Sequence, residues 1–180
     1  GGVERRLTEA AVMLALAHHL LSEPGPATVT ICPDGEHAKR FDIPAWLATQ
    51  GFEKIENLGS TSYGGLYVRG DKTVVVNPRS GIGDVTGNLA GRAVVCECKG
   101  GTINSKHSGR QSLLRKGLLE TVGALLALPV DGARQIAAVP LTPLTQGLAE
   151  KLSPRCRAAG IEIALVREDG SIHWVEARNV

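Results

Sequence analysis

"GIGDVTGNLAGRAVVCECKGG", residues 81–101, is the stretch on which the reading of fold and function turns. "GIGDVTG" and "RAVVCECKG" are expected to form two strands joined through "NLAG", whose small and polar residues suit a tight turn. Side chains alternate faces along a strand, so Val95, Glu97 and Lys99 point one way and Val94, Cys96 and Cys98 the other. The cysteine face suits packing beneath a helix. The opposite face carries two charges that an apolar core does not accept unpaired. The turn is short enough to return Asp84 to the side of Glu97. Two carboxylates and one ammonium then converge.

Two carboxylates repel unless a cation sits between them. Hard oxygen ligands of this kind, joined by the backbone carbonyl of Cys98, suit Mg²⁺ or Mn²⁺ better than Zn²⁺. Such an ion binds a scissile phosphate and acidifies an attacking water, while Lys99 orients that water or steadies charge on the phosphate. The competing reading of the same residues is an Asp–Lys–Glu ion network at a sheet edge.

The following residues bear on that choice. "KGGTINSKHSGRQSLLRKG", residues 99–117, contains Lys99, Lys106, His107, Arg110, Arg115 and Lys116 and no acidic residue. A helix over 109–128 is expected, with Leu114, Leu118, Val122 and Leu125 on its apolar stripe. Its first turns present Gln111 and Arg115, four apart, on one face. The stretch therefore forms an anion-binding surface for nucleic acid or, on the plainer reading, a solvated basic patch. The glycines are not a phosphate-binding P-loop, because no G-K-[ST] follows them.

Working outward, residues 4–21 read as a helix ended by "EPGP". "ATVTICPDGEHAKRFDI" reads as a hairpin around "PDG", and Asp42 as the cap of a short helix "PAWLATQ". "GGLYVRGDKTVVVNP" reads as two strands about a turn. The last third alternates: strand "QIAAVP", a helix over 144–160 that Pro154 is expected to interrupt, strand "IEIALV", and strand "SIHWVEA". Together these elements make an α/β sandwich around a mixed sheet of about five core strands.

The 180 residues, 43% hydrophobic, suffice for a single core and therefore for one domain. A net charge of +2 permits a nucleic-acid partner without demanding one. The longest greasy run, "AAVMLALAHHLL", is too short to span a bilayer, so no membrane association is expected. The first residues do not resemble an export signal. Cys96 and Cys98 lack zinc-knuckle spacing, and four reduced cysteines in a cytoplasmic protein are expected.

Strand-Asp84, hairpin, strand "Glu97-Cys98-Lys99" and a following helix resemble the PD-(D/E)xK nuclease superfamily, whose members share the restriction-endonuclease-like fold. "GD" stands where "PD" is usual. The resemblance covers roughly residues 1–166 in element order, with its specific part at 81–115, and leaves 28–42 and 167–180 as additions to a single domain. It implies an α/β/α sandwich with a central mixed β-sheet and Mg²⁺- or Mn²⁺-dependent hydrolysis of phosphodiester bonds, more often in DNA than RNA and often by a homodimer. Asp84, Glu97 and Lys99 would be catalytic, joined by Gln111, which is similar to an extra glutamine of some branches. Asp84, Glu97 and the Cys98 carbonyl would hold the metal. An acid from the first helix, Glu9, would complete the site, with Glu53 and Glu56 as rivals. Lys106, His107, Arg110 and Arg115 would meet nucleic acid. From another class stands a non-catalytic domain of the same fold that binds nucleic acid or protein.

Overall fold

The computed structural model describes residues 2–33, 35–79 and 83–176. Along the chain, β1 (Arg6–Leu7) leads into α1 (Glu9–Leu21), β2 (Ala27–Ile31), α2 (Gly35–Arg40) and α3 (Ile43–Thr49). Next come β3 (Glu53–Asn57), β4 (Gly65–Arg69), β5 (Lys72–Val76), β6 (Val85–Leu89), β7 (Arg92–Cys98) and β8 (Gly101–Thr102). The chain closes with α4 (Ser108–Leu126), β9 (Arg134–Pro140), α5 (Pro143–Ala158), β10 (Ile161–Val166) and β11 (Ile172–Trp174).

One mixed sheet of nine strands organises these residues, in the order β11-β10-β9-β7-β6-β2-β5-β4-β3. β7–β9, β9–β10 and β2–β5 run parallel and the remaining neighbours antiparallel. Alternation along the central strands feeds two cores. On one face Val94, Cys96 and Cys98 of β7 pack with Ile136 and Ala138 of β9 beneath α1 and α3. On the other, Ala137 and Val139 of β9 and Ile161, Ile163 and Leu165 of β10 meet α4 and α5. The cysteine face of β7 thus lies on the helical side foreseen for it. Burying a side chain of this size contributes about 1.5–3 kcal/mol, and both faces of β9 and β10 gain it.

Several elements depart from expectation. The first helix begins at Glu9, where Thr8 accepts the N–H of Ala11 at 3.1 Å as its cap. Arg6 and Leu7 instead pair with Thr102 and Gly101. Residues 28–42 are not a hairpin. Pro33 has no N–H for a returning ladder, residues 35–40 form α2, and β2 stands inside the sheet between β5 and β6. The sheet has nine strands in place of about five because the β3–β4–β5 meander joins it through β2. Pro154 does not interrupt α5, whose Ser153 and Cys156 are buried on either side of it. The strand expected from residue 81 begins at Val85, and residues 81 and 82 lie outside the described residues. Among the described residues, no helix is long and apolar enough to cross a membrane.

Candidate functional site

The β6–β7 ladder ends at the pair Val85–Cys96. One residue earlier, the Asp84 N–H donates to the Cys96 carbonyl at 2.9 Å and the Asp84 carbonyl accepts the Cys32 N–H at 3.0 Å. The Asp84 carboxylate then replaces the missing strand: Oδ2 accepts the Cys98 N–H at 2.8 Å. This fixes Asp84 against β7, and its carboxylate lies within hydrogen-bonding reach of Glu97. Burial first, then the negative charge of Asp84 and a hydrogen bond to it, push the Glu97 carboxyl up to about 7, against the opposing pull of Lys99. Glu9 adds to the upward push. An acid in this setting shares a proton or a cation with its neighbour at neutral pH.

Two glycines bring the other participants close. A Cβ on Gly100 would collide with the backbone of Leu7, Thr8 and Glu9, so only glycine lets the start of α1 cross the end of β7. Glu9 is thereby set 3.6 Å from the Lys99 ammonium, its side chain mostly buried. A Cβ on Gly117 would stand 3.2 Å from Lys99 Cβ, so that glycine admits the lysine stem beneath α4. β1 pairing with β8 clamps the same corner. The structure therefore sets Asp84 beside Glu97 and Glu9 beside Lys99 at the end of β7. Glu53 and Glu56 sit on β3, the far edge of the sheet.

The remaining expected residues have other engagements. Gln111 donates to the Ser105 carbonyl at 3.3 Å and lines a recess of about 240 Å³ with Thr142, Pro143 and Leu144, separate from the one beside Lys99. His107 caps α4, its Nδ1 accepting the Gly109 N–H at 3.2 Å. Arg110 pairs with Glu4 and reaches the Thr102 hydroxyl at 3.4 Å. Lys106 and Arg115 are exposed. The basic surface is thus less positive than its sequence, because Glu4 is folded back onto it from the other end of the chain. Arg6, from the "ERR" preceding α1, joins this surface and went unread in the sequence. Its signal was a basic pair next to a helix start.

Cys96, Cys98 and Cys156 are free thiols, and burial pushes Cys96 and Cys98 well above their ordinary range, which leaves them protonated. His18 and His19 meet Trp46 and Trp174 edge-on, and Trp174 Nε1 donates to His19 at 3.3 Å; His18 is exposed and His19 half-buried. Tyr67 donates its hydroxyl to the Tyr63 carbonyl, and Arg69 bonds the Gln50 carbonyl and covers Phe52, which anchors the β4–β5 hairpin. Among the described residues, no group of three or more His, Cys, Asp and Glu side chains is arranged to hold a metal ion. No known protein family, curated protein or solved structure matches the chain.

Proposed function

We propose that the chain is a divalent-metal-dependent nuclease of the PD-(D/E)xK type, hydrolysing phosphodiester bonds in nucleic acid, DNA before RNA. The observation that carries the reading is the Asp84–Glu97 pair: the Asp84 carboxylate is fixed on the Cys98 N–H beside Glu97, whose carboxyl burial and that neighbouring charge push up to about 7. A fold gains nothing from that repulsion, whereas a cation between the two relieves it.

Asp84, Glu97 and the Cys98 carbonyl would hold Mg²⁺ or Mn²⁺, with Glu9 beside them. A side-chain pair in place of a cage suits Mg²⁺, which keeps several of its waters. When bound, the ion supplies a Lewis acid for the phosphate and an acidified water. Lys99, steered by Glu9, places its ammonium where negative charge grows on the phosphoryl oxygens. Lys106, Arg110 and Arg115 offer exposed cations to the nucleic-acid backbone. The free thiols of Cys96, Cys98 and Cys156 suit a reducing compartment, in keeping with a cytoplasmic location.

A second reading, a non-catalytic nucleic-acid- or protein-binding domain, draws on the pairing of Lys99 with Glu9, which also occurs in a purely structural ion network. Gel-resolved cleavage of labelled single-stranded, duplex, nicked and branched DNA and of RNA separates the two. Turnover with Mg²⁺ or Mn²⁺ that EDTA abolishes and Ca²⁺ suppresses is expected. A protein inert on every substrate with both metals hands the chain to the second reading.

A further inference from the structure

A recess of about 540 Å³ opens on the side of Lys99 that faces α4. Four cations from three separate parts of the chain line it: Arg6 of β1, Lys99 after β7, and Arg110 and Lys116 of α4. Glu120 lines it as well, so four cations share the concavity with one carboxylate, an excess of positive charge that favours an anion there. Three of the four lean on glutamates: Lys99 on Glu9 at 3.6 Å, Lys116 on Glu120 at 3.7 Å, and Arg110 on Glu4. Glu4, Glu120, Arg110 and Lys116 are all well exposed, and exposed pairs are weak enough to be exchanged for a phosphate. Leu113, 65% exposed, stands on the same wall and offers an apolar surface to a sugar or base. Gly100, Gly101 and Gly117 complete the lining.

We propose that this recess is a nucleotide subsite, holding the phosphate and sugar of the nucleotide next to the cleaved bond, with Arg6 and Lys116 as phosphate-binding residues. The identity of the ligand rests on the nuclease reading. Lys99 joins the recess to the Asp84–Glu97 pair, so a phosphate bound here is the neighbour of one at the pair. The volume suits one nucleotide, and the cations suit either an internal diester or a terminal monoester.

The test is fluorescence anisotropy in EDTA, where no turnover occurs. The probes are short labelled single-stranded DNAs with a 5′-phosphate, a 3′-phosphate or neither. Arg6→Gln/Lys116→Gln is expected to bind about tenfold more weakly, with a log–log salt slope shallower by roughly 0.7 for each lost contact. Arg6→Lys/Lys116→Arg, which keeps both charges, is expected to match wild type. A loss on all three DNAs assigns the recess to an internal phosphate. A loss confined to one phosphorylated form assigns it to that terminus. The proposal is overturned if the glutamine pair binds all three DNAs as wild type does, or if the charge-keeping pair is as weak as the glutamine pair. Binding through the recess without cleavage under any metal sinks the nuclease reading alone, and normal cleavage with unchanged binding in the glutamine pair sinks the recess alone.

Discussion

Two charged clusters lie at opposite ends of the β7–β9 strand pair, and they are built on opposite principles. At one end Arg134, beside Val94, forks onto Glu162 at 2.6 and 3.1 Å, reaches Glu23 at 2.9 Å and lies over the Trp174 ring at 5.3 Å. Each charge there meets its opposite, and the hydrogen bonds to Glu162 hold the guanidinium firmly protonated. At the other end Glu97, beside Ala137, meets Asp84, and burial with like charge raises its pKa to about 7. The first cluster is satisfied and serves the fold. The second is left in tension, which the proposed cation would relieve.

The largest effect that sharpens this contrast is catalytic. Asp84→Ala and Glu97→Ala are expected to lower cleavage by about a thousandfold or more, measured as single-turnover rates on the best DNA substrate. Lys99→Ala is expected to be nearly as slow while still binding the metal ion. Arg134→Ala is expected to leave the single-turnover rate within about threefold of wild type at a temperature where the variant is folded.

Stability reverses the order. Arg134→Ala strands two glutamates on the sheet and is expected to cost about 2–4 kcal/mol in urea unfolding. Glu97→Gln is expected to stabilise in EDTA at pH 8. The sign follows from acidity: the unfolded carboxyl ionises near its ordinary 4.5, the folded one near 7. The fold therefore bears a cost that is absent below 4.5, grows between the two values and is complete above 7. The glutamine removes it. Solvent at this half-buried position screens the effect to about 1–2 kcal/mol, and the advantage is expected to vanish by about pH 4.5. A smaller effect still is a rise of about 2–4 °C in Tm for wild type on adding millimolar Mg²⁺, with none in Asp84→Ala.

How much of this was legible depended on distance along the chain. The β6–β7 hairpin is local, and strand periodicity separated Glu97 from Cys96 and Cys98, as β7 has them, with Lys99 one residue beyond the strand. The pairing of β2 with β5 joins segments more than forty residues apart through no shared motif, so the sheet was read about four strands short. Pro154 misled because propensity weighs a residue alone, whereas buried neighbours hold the last turns of α5. At the site, Glu9 entered only through the resemblance, as an acid on the first helix, and the structure sets it beside Lys99. Gln111 was not readable, because the loop carrying Ser105 redirects its amide. Arg6 became part of the basic recess only through the β1–β8 clamp, a pairing between segments about ninety residues apart.

The central claim is that the Asp84–Glu97 pair takes a divalent cation, and titration of Mn²⁺ into the metal-free protein by isothermal calorimetry tests it most directly. The account predicts one saturable site per chain at pH 8, weakened at pH 6 as Glu97 takes up a proton, and lost in both Asp84→Ala and Glu97→Ala. Binding that is absent from wild type at pH 8, or that survives intact in both variants, would contradict it.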